Sequence, residues 1–470
     1  MLFPTMIFGF FFLFVYATAW SLDRENGKRK LFLLAASWVF YGWWDYRFVG
    51  LLIVSALLNW AVAKAIASTH KEAPIRPWFV ALGVVINLTI LGFFKYYGFF
   101  IDQLGELLKL MHWQRDLPLL QVVLPVGISF FTFQGMSYII DVHRGKCPPA
   151  KSLLDVMLLM SFFPHLVAGP IVRASDLLPQ FDNAPRLNRE EAAHGLLLIA
   201  WGLFKKTVIA SELATALVDP VFFDPKSYGA PDLIAATYGY AVQIYCDFSA
   251  YSDIAIGIAC LLGYRFPRNF NQPYRSTSLQ EFWRRWHMSL SGWLRDYLYI
   301  PLGGGRGGLI ATCRNVIITM VLGGIWHGAA WTFVAWGAIH GVVLAIERVW
   351  RQLKPAHWPK WPAIVGLLIT FHVVCLGWIL FRSESFSAAL DFLHGFGDWS
   401  QPVQLLTPFV AILIVAGLGL HNLPPEGIEW LAWKLEVVPA PLMGLFIGAA
   451  ILLVEAIRQP GVAPFIYYQF

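Results

Sequence analysis

Charge is scarce in this 470-residue chain, where Asp, Glu, Lys and Arg together make up 14%. A soluble domain carries about 25%, so there are too few charged groups to clothe a water-facing surface. Cysteine is scarce too. Cys147, Cys246, Cys260, Cys313 and Cys375 are scattered without a C-x-x-C pair, which argues against a disulfide framework or a structural zinc site. Cys246, Cys260 and Cys375 fall inside apolar segments and read as small packing residues. The chain also lacks a Walker lysine motif, a G-x-S-x-G elbow and an H-E-x-x-H pair. ATP-driven transport, serine hydrolysis and zinc proteolysis therefore lose their usual sequence support. The run GGGRGG at 303–308 formally satisfies G-x-G-x-x-G. No strand precedes it and no acidic partner follows at the right distance, so it reads as a glycine-rich turn. No repeat of fixed period, low-complexity linker or soluble domain interrupts the chain, and residues 1–470 are expected to form a single membrane-embedded domain.

What the sequence has in quantity is apolar length. Hydrophobic residues make up 57%, and a helix crosses a hydrocarbon core with roughly 20 residues. Apolar segments run over 2–20, 31–44, 48–66, 78–101, 119–140, 153–172, 195–218 and 233–263, then over 315–331, 333–348, 363–381, 405–420 and 441–457. Segments 31–44 and 405–420 are short or polar enough to be re-entrant or tilted pieces buried among others. The expected fold is an all-α, polytopic integral membrane protein with roughly 11 membrane helices plus interfacial or re-entrant ones. The start MLFPTMIFGFFFLFVYATAW has no basic leader and no small-residue cleavage site, and reads as a retained first span.

The net charge of +6 sits in short loops, where basic residues orient a membrane chain and meet anionic headgroups. No basic patch is left for a nucleic acid. Arg24, Lys28, Arg29 and Lys30 follow the first span, Lys71 and Arg76 lie in a later loop, and Arg144, Lys146 and Lys151 in another. Placing all three loops in the cytoplasm puts the N-terminus on the outer, periplasmic side.

The segment 264–314 differs from the rest. It holds Arg265, Arg268, Arg275, Arg284, Arg285, Arg295, Arg306 and Arg314 against Glu281 and Asp296. Leu279, Phe282, Trp283, Trp286, Leu290, Trp293, Leu294 and Tyr297 recur at three- and four-residue spacing. That periodicity predicts one amphipathic helix with Arg284, Arg285, His287, Ser291 and Arg295 on its polar face, lying in the membrane interface.

Ionisable groups inside membrane segments are costly and carry a functional hypothesis by default. They are Asp155, His165, Lys205, Lys206, Asp247, Asp253, His327, His340 and His372. His327 stands apart in GGIWHGAAW, between two tryptophans and among small residues that let a backbone or a thin acyl donor approach closely. A neutral imidazole there can take a proton from an attacking hydroxyl and return one to a leaving thiolate; the bland reading is a core histidine hydrogen-bonded to a neighbouring helix. His287 is the second candidate. His340, thirteen residues beyond His327, falls near the opposite face of a continuous helix and reads as a packing or hydrogen-bonding histidine. Asp247 and Asp253 read as helix anchors paired with arginines rather than as catalytic groups.

The string YCDFSAYSDIAIGIACLLGYRFPRNFNQPYRSTSLQEFWRRWHMSLSGWLRDYLYIPLGGGR, followed by GGIWHGAAWTFVAWGAIHG, strongly resembles the membrane-bound O-acyltransferase family. Within it, the likeness is to the bacterial polysaccharide O-acetylation branch, typified by the membrane subunit of alginate O-acetylation; the ending PFIYYQF fits that branch as well. The signature region is 245–341. The resemblance implies helices around a funnel and tunnel, with His327 as the essential catalytic residue at the narrow point and His287 as the second family histidine towards the cytoplasm. Trp326, Trp286, Arg284, Arg285 and Ser289 then become candidates for substrate binding. No metal or permanently bound cofactor is implied. The donor would be a cytoplasmic acyl thioester such as acetyl-CoA, whose phosphates suit arginine contacts. An extracytoplasmic acetyltransferase of the serine-hydrolase-like type would be the partner, and an envelope polysaccharide of alginate type the final acceptor, in the bacterial inner membrane. One departure is Gly305, where the branch carries asparagine in P-L-G-G-N-R. Acylation of cellulose, peptidoglycan or teichoic acid stays open within the family. A transporter or flippase predicts internal repeats with broken helices in matching positions, and a scaffold subunit predicts that His327 is dispensable.

Overall fold

The structure, a computed structural model, describes residues 1–113, 120, 122–355, 362–424, 426–435 and 437–439, with scattered positions beyond, Phe465 among them. The apolar segment 441–457 and the ending 464–470 lie largely outside the described residues. All regular structure among the described residues is helical. The chain divides into two compact units, one of residues 1–188 with 258–267 and one of residues 189–257 with 268–470.

The first unit contains α1 (Met6–Ser21), α2 (Asn26–Asp45), α3 (Arg47–Ser68), α4 (Arg76–Leu110), α5 (Ile128–Arg144), α6 (Leu153–Ser161), α7 (Phe163–Leu166) and α8 (Ala174–Phe181). Buried polar groups lock these apolar helices together. Asn59 and Asn87 exchange side-chain hydrogen bonds between α3 and α4, at 2.9 and 3.3 Å. Gly135 on α5 leaves room for that pair, because a Cβ there would meet the Asn59 amide at 2.7 Å. Lys30 pairs with Asp155 at 2.6 Å. Arg29 is fully buried, donating to the carbonyls of Ala19 and Leu262 at 3.0 and 2.6 Å and to the Tyr264 hydroxyl at 3.1 Å. Its charge thus meets carbonyls that helix ends leave without intrahelical partners. Two of the four basic residues expected in the first loop, Arg29 and Lys30, are therefore structural and lie on α2.

The second unit contains α9 (Arg189–Phe204), α10 (Ser211–Leu213), α11 (Asp219–Phe223), α12 (Ala230–Leu261, ending in the first unit), α13 (Leu279–Arg285), α14 (Met288–Leu294), α15 (Gly308–His327), α16 (Trp331–Leu353), α17 (Ala363–Arg382), α18 (Phe386–Gly395), α19 (Pro408–Gly419) and α20 (Gly427–Leu435). Wider π-helical turns follow α9 at 205–210 and recur at 214–218. Helices α15 and α16 form an antiparallel hairpin across a three-residue turn. Their backbones touch because Gly324 faces the Phe333 carbonyl, Gly337 faces the Met320 carbonyl, and Gly341 would bring a Cβ to 2.9 Å from Ile317 Cα.

Among the described residues, α3, α4, α12, α15, α16 and α17 are long and apolar enough to cross a membrane, with one more candidate span if Pro408–Asn422 and Gly427–Leu435, bent by 79°, count together. The chain is accordingly a multi-pass membrane protein. The expectation of roughly 11 membrane helices rested on thirteen apolar segments, of which 441–457 lies largely outside the described residues and several others are broken. Segment 119–140 becomes helical at Ile128, where Gly127 takes a left-handed conformation against the Leu166 carbonyl. Segment 153–172 breaks at Phe162, and α1 has 16 residues.

Candidate active site

The stretch 279–297 is not the single amphipathic helix its periodicity predicts. Ser278 caps α13 by accepting from Glu281 N at 3.2 Å, and the helix then stops at Arg285. His287 takes φ 43° and ψ 55° before α14 begins, a left-handed conformation uncommon outside glycine and asparagine. The break is stabilised from outside by residues 269–271. Met288 N donates to the Asn269 carbonyl at 2.9 Å, Ser289 N to Asn269 Oδ1 at 3.1 Å, and Asn271 N to the Arg285 carbonyl at 2.9 Å. Backbone groups released by the break thus find partners.

The consequence is that His287 leaves the polar face and turns inward, with 0% exposure. The Phe248 ring meets it edge-on with centroids 4.6 Å apart, and Trp326 lies at 6.3 Å. Burial pushes its pKa down to about 3, so the imidazole is neutral. Its tautomer follows from the neighbours. Asn269 Oδ1 accepts from Ser289 N, a group that can only donate, while Asn269 Nδ2 donates to Ser252 Oγ at 3.1 Å. The His287 Nδ1 contact to the same Oδ1, at 3.2 Å, must therefore be donated by the ring. The second ring nitrogen, Nε2, is left carrying the lone pair.

His327 closes α15 and is buried among rings. Trp326 lies 4.9 Å away, Trp336 5.0 Å and Phe381 5.3 Å, all near edge-on. Trp326 therefore neighbours both candidate histidines, and the structure gathers His287, Ser289, Trp326 and His327 into one buried aromatic region. Trp286 belongs to the same wall, packed on Phe270 at 5.1 Å and on Trp378 at 5.0 Å. Ser289 Oγ donates to Asn269 Oδ1 at 2.9 Å, so it supports His287. The two arginines are not gathered with them. Arg284 is exposed, and Arg285 pairs with Glu281 at 2.8 Å and donates to the Asn271 carbonyl at 3.3 Å.

Two further expectations change. Residues 328–330 interrupt the helix after His327, so His340 does not fall on an opposite face. Its ring lies 4.7 Å from Trp336, the same indole that packs on His327. Its hydrogen-bonding role holds, since Trp283 Nε1 donates to His340 Nδ1 at 3.2 Å. Asp253 and Asp247 pair with lysines rather than arginines, Lys205–Asp253 and Lys206–Asp247 both at 2.7 Å. Of the two close approaches expected at the small residues of GGIWHGAAW, a neighbouring backbone is the one present: the Phe333 carbonyl lies against Gly324, and the Phe333 ring covers Gly328. His372 is exposed and meets the Tyr238 hydroxyl at 3.0 Å.

Sequence reasoning missed Asn269, which holds His287, and Trp336, which packs on His327. Asn269 lies inside the quoted signature, but nothing in its local pattern pairs it with a histidine eighteen residues on. The glycine 303–308 run is a turn, with Gly303, Gly304 and Gly308 all at positive φ.

Comparison with known proteins places this chain in a family. The sequence model of the membrane-bound O-acyltransferase family matches residues 150–387, which contain both candidate histidines. The chain is 36% identical to a protein of Azotobacter vinelandii named "Probable alginate O-acetylase AlgI", over the whole of both chains. It is 41% identical to the Pseudomonas aeruginosa protein of the same name, over 92% of this chain and 84% of that one. A peptidoglycan O-acetyltransferase of Helicobacter pylori is 37% identical over 84% of this chain and 79% of its own length. With the family model matching half of its length and relatives 36% and 41% identical along nearly all of it, the chain belongs to the membrane-bound O-acyltransferase family.

Proposed function

We propose that the protein moves an acetyl group from a cytoplasmic thioester, acetyl-CoA by preference, across the bacterial inner membrane for O-acetylation of an envelope polysaccharide of alginate type. His327 is the general base. It takes the proton of the attacking hydroxyl and returns it to the leaving thiolate, work suited to an uncharged imidazole. His287, with Nδ1–H fixed by Asn269, presents Nε2 to orient the thioester or to relay the acyl group. The observation that carries this reading is the shared neighbour Trp326, which brings both histidines of the family signature into one buried region. The N-terminus lies on the periplasmic side. An extracytoplasmic acetyltransferase of the serine-hydrolase-like type completes the transfer to polymer, since no segment of this chain reads as a soluble domain able to hold a long polysaccharide. Peptidoglycan is the second acceptor to consider, on the strength of the Helicobacter relative.

The deciding measurement is base-labile acetyl ester on envelope polysaccharide from cells with the wild-type chain, a deletion, or His327→Ala at matched membrane levels. Both altered strains are expected to lose acetyl alike, and the depleted polymer names the acceptor. Acetyl retained in the His327→Ala strain and lost in the deletion would sink the catalytic assignment and favour a scaffold role.

A further inference from the structure

The hairpin of α15 and α16 contains a cavity that acyl transfer does not use. Along α16, Gly337, Gly341, Ala345, Val349 and Leu353 stand one turn apart, so this row of side chains grows steadily towards the end of the helix. The two glycines lie against the α15 backbone, and Cys313 Sγ still comes within 3.9 Å of the Ala345 carbonyl. Beyond that point the larger side chains hold the two helices apart. The result is an apolar groove of about 500 Å³, walled by Cys313 and Ile317 on α15 and by Val342, Ile346 and Val349 on α16, with Lys354 where α16 ends. Its volume falls within the roughly 300–1,000 Å³ of ordinary ligand sites.

Both helices are long and apolar enough to cross a membrane, and the groove is open along its side: Val342 is 45% exposed and Ile346 60%. Open apolar surface on a spanning helix meets acyl chains. The end of the groove is different. Trp350 lines it one turn before Lys354, and an indole beside a lysine is the pairing found at headgroup level. Residues 306–314 and 347–354, which flank this end, hold Arg306, Arg314, Arg348, Arg351 and Lys354 against Glu347 alone. The Glu347 carboxylate already accepts from Leu279 N and Gln280 N, so positive charge is in excess there. Basic pockets between membrane helices take anionic headgroups.

We propose that this groove holds an acyl chain of an anionic phospholipid whose phosphate sits on Lys354. The chain fills the wedge between α15 and α16, and the headgroup meets the basic end. Bound there, the lipid braces the hairpin at the end opposite His327 and stabilises the fold without touching the reacting groups. The site does not depend on the acyl-transfer reading.

The test reconstitutes the full chain in phosphatidylcholine vesicles with a trace of phosphatidylglycerol carrying a photoreactive group in its acyl chain. Cross-linked residues are identified by mass spectrometry. Labelling is expected at Ile317, Val342 and Ile346, and unlabelled phosphatidylglycerol should displace it although phosphatidylcholine is in excess. Lys354→Gln should weaken that displacement about fivefold, the equivalent of about 1 kcal/mol for one cation near the surface. Val349→Phe, which narrows the groove at mid-length, should abolish the labelling. Added phosphatidylglycerol should also raise the melting temperature of the wild type more than that of Lys354→Gln. Groove labelling that phosphatidylglycerol does not displace, or that Lys354→Gln leaves unchanged, would mean bulk lipid only and overturn the proposal. Displacement by a long-chain acyl-CoA but not by phosphatidylglycerol would assign the groove to a thioester and overturn it as well. So would labelling confined to residues outside the groove. If Val349→Phe does not fold, Lys354→Gln, at the helix end, decides alone.

Discussion

Replacing Asn269 by alanine tests whether the geometry around His287 serves chemistry or only packing. Asn269 is 1% exposed and its Oδ1 accepts from His287 Nδ1, Ser289 N and Ser289 Oγ at 3.2, 3.1 and 2.9 Å. The serine hydroxyl can rotate to another acceptor, whereas the ring nitrogen and the backbone N–H cannot. Two buried donors left unsatisfied cost about 1–3 kcal/mol each, so the variant should lose about 2–6 kcal/mol of stability. The backbone bond from Met288 N to the Asn269 carbonyl survives, which keeps the helix break in place and makes a folded variant attainable. The rate effect is separate. A hydrogen bond worth about 1–3 kcal/mol that fixes one tautomer corresponds to roughly 5- to 150-fold in kcat when it is lost. Thermal unfolding in detergent reads the first effect, and acetyl transfer in vesicles, corrected for folded protein, reads the second. Asn269→Ala with wild-type melting and wild-type kcat would refute the assignment of Nδ1–H to His287 and any role for its Nε2.

Two further outcomes follow from buried charge. Lys206→Met removes the cation from Asp247, both residues being under 9% exposed, and should cost about 3–5 kcal/mol; in Lys206→Met/Asp247→Leu most of that should return, and a double variant no better than the single one would show that the pair does not carry the stability. Stability should also fall with acid between pH 6.5 and about 3. His165 and His287, both outside the spanning helices, are held neutral by burial, with their pKa pushed down to about 3. The unfolded chain binds those protons first, so each histidine contributes up to about 1.4 kcal/mol per pH unit in that window. Chemical unfolding of wild type and His165→Asn across pH 4 to 7 checks this, and equal slopes in the two proteins would refute it for His165.

The sequence made the membrane class and the two histidines legible for different reasons. Apolar length is a local property, so α3, α12 and α17 could be read off the chain within a few residues, and α4, α15 and α16 with one end short by five to nine. His327 and His287 were legible because they stand in long quoted motifs, not because their surroundings could be inferred. The break at His287 was invisible to periodicity: the apolar spacing of 279–297 continues across it, and the groups that stabilise it come from residues 269–271. The partners of Asp247 and Asp253 were misjudged for a similar reason. Arginines crowd 264–314 in sequence, but the π-helical turn at 205–210 brings Lys205 and Lys206 to α12 instead.

The glycines around His327 show how far a motif can be read before its geometry is known. Their smallness allows the close approach of either a backbone or a thin acyl donor, and it is protein that fills the space: Gly324 and Gly328 are covered by Phe333, and Gly337 lies against the Met320 carbonyl. These residues bring α15 and α16 into backbone contact, which sets where α15 ends and therefore where His327 stands. They also set the register that puts Trp336 beside His327 and His340 one turn further on. A glycine face filled by a neighbouring helix is already occupied, so these small residues fix the position of His327 rather than mark a path towards it.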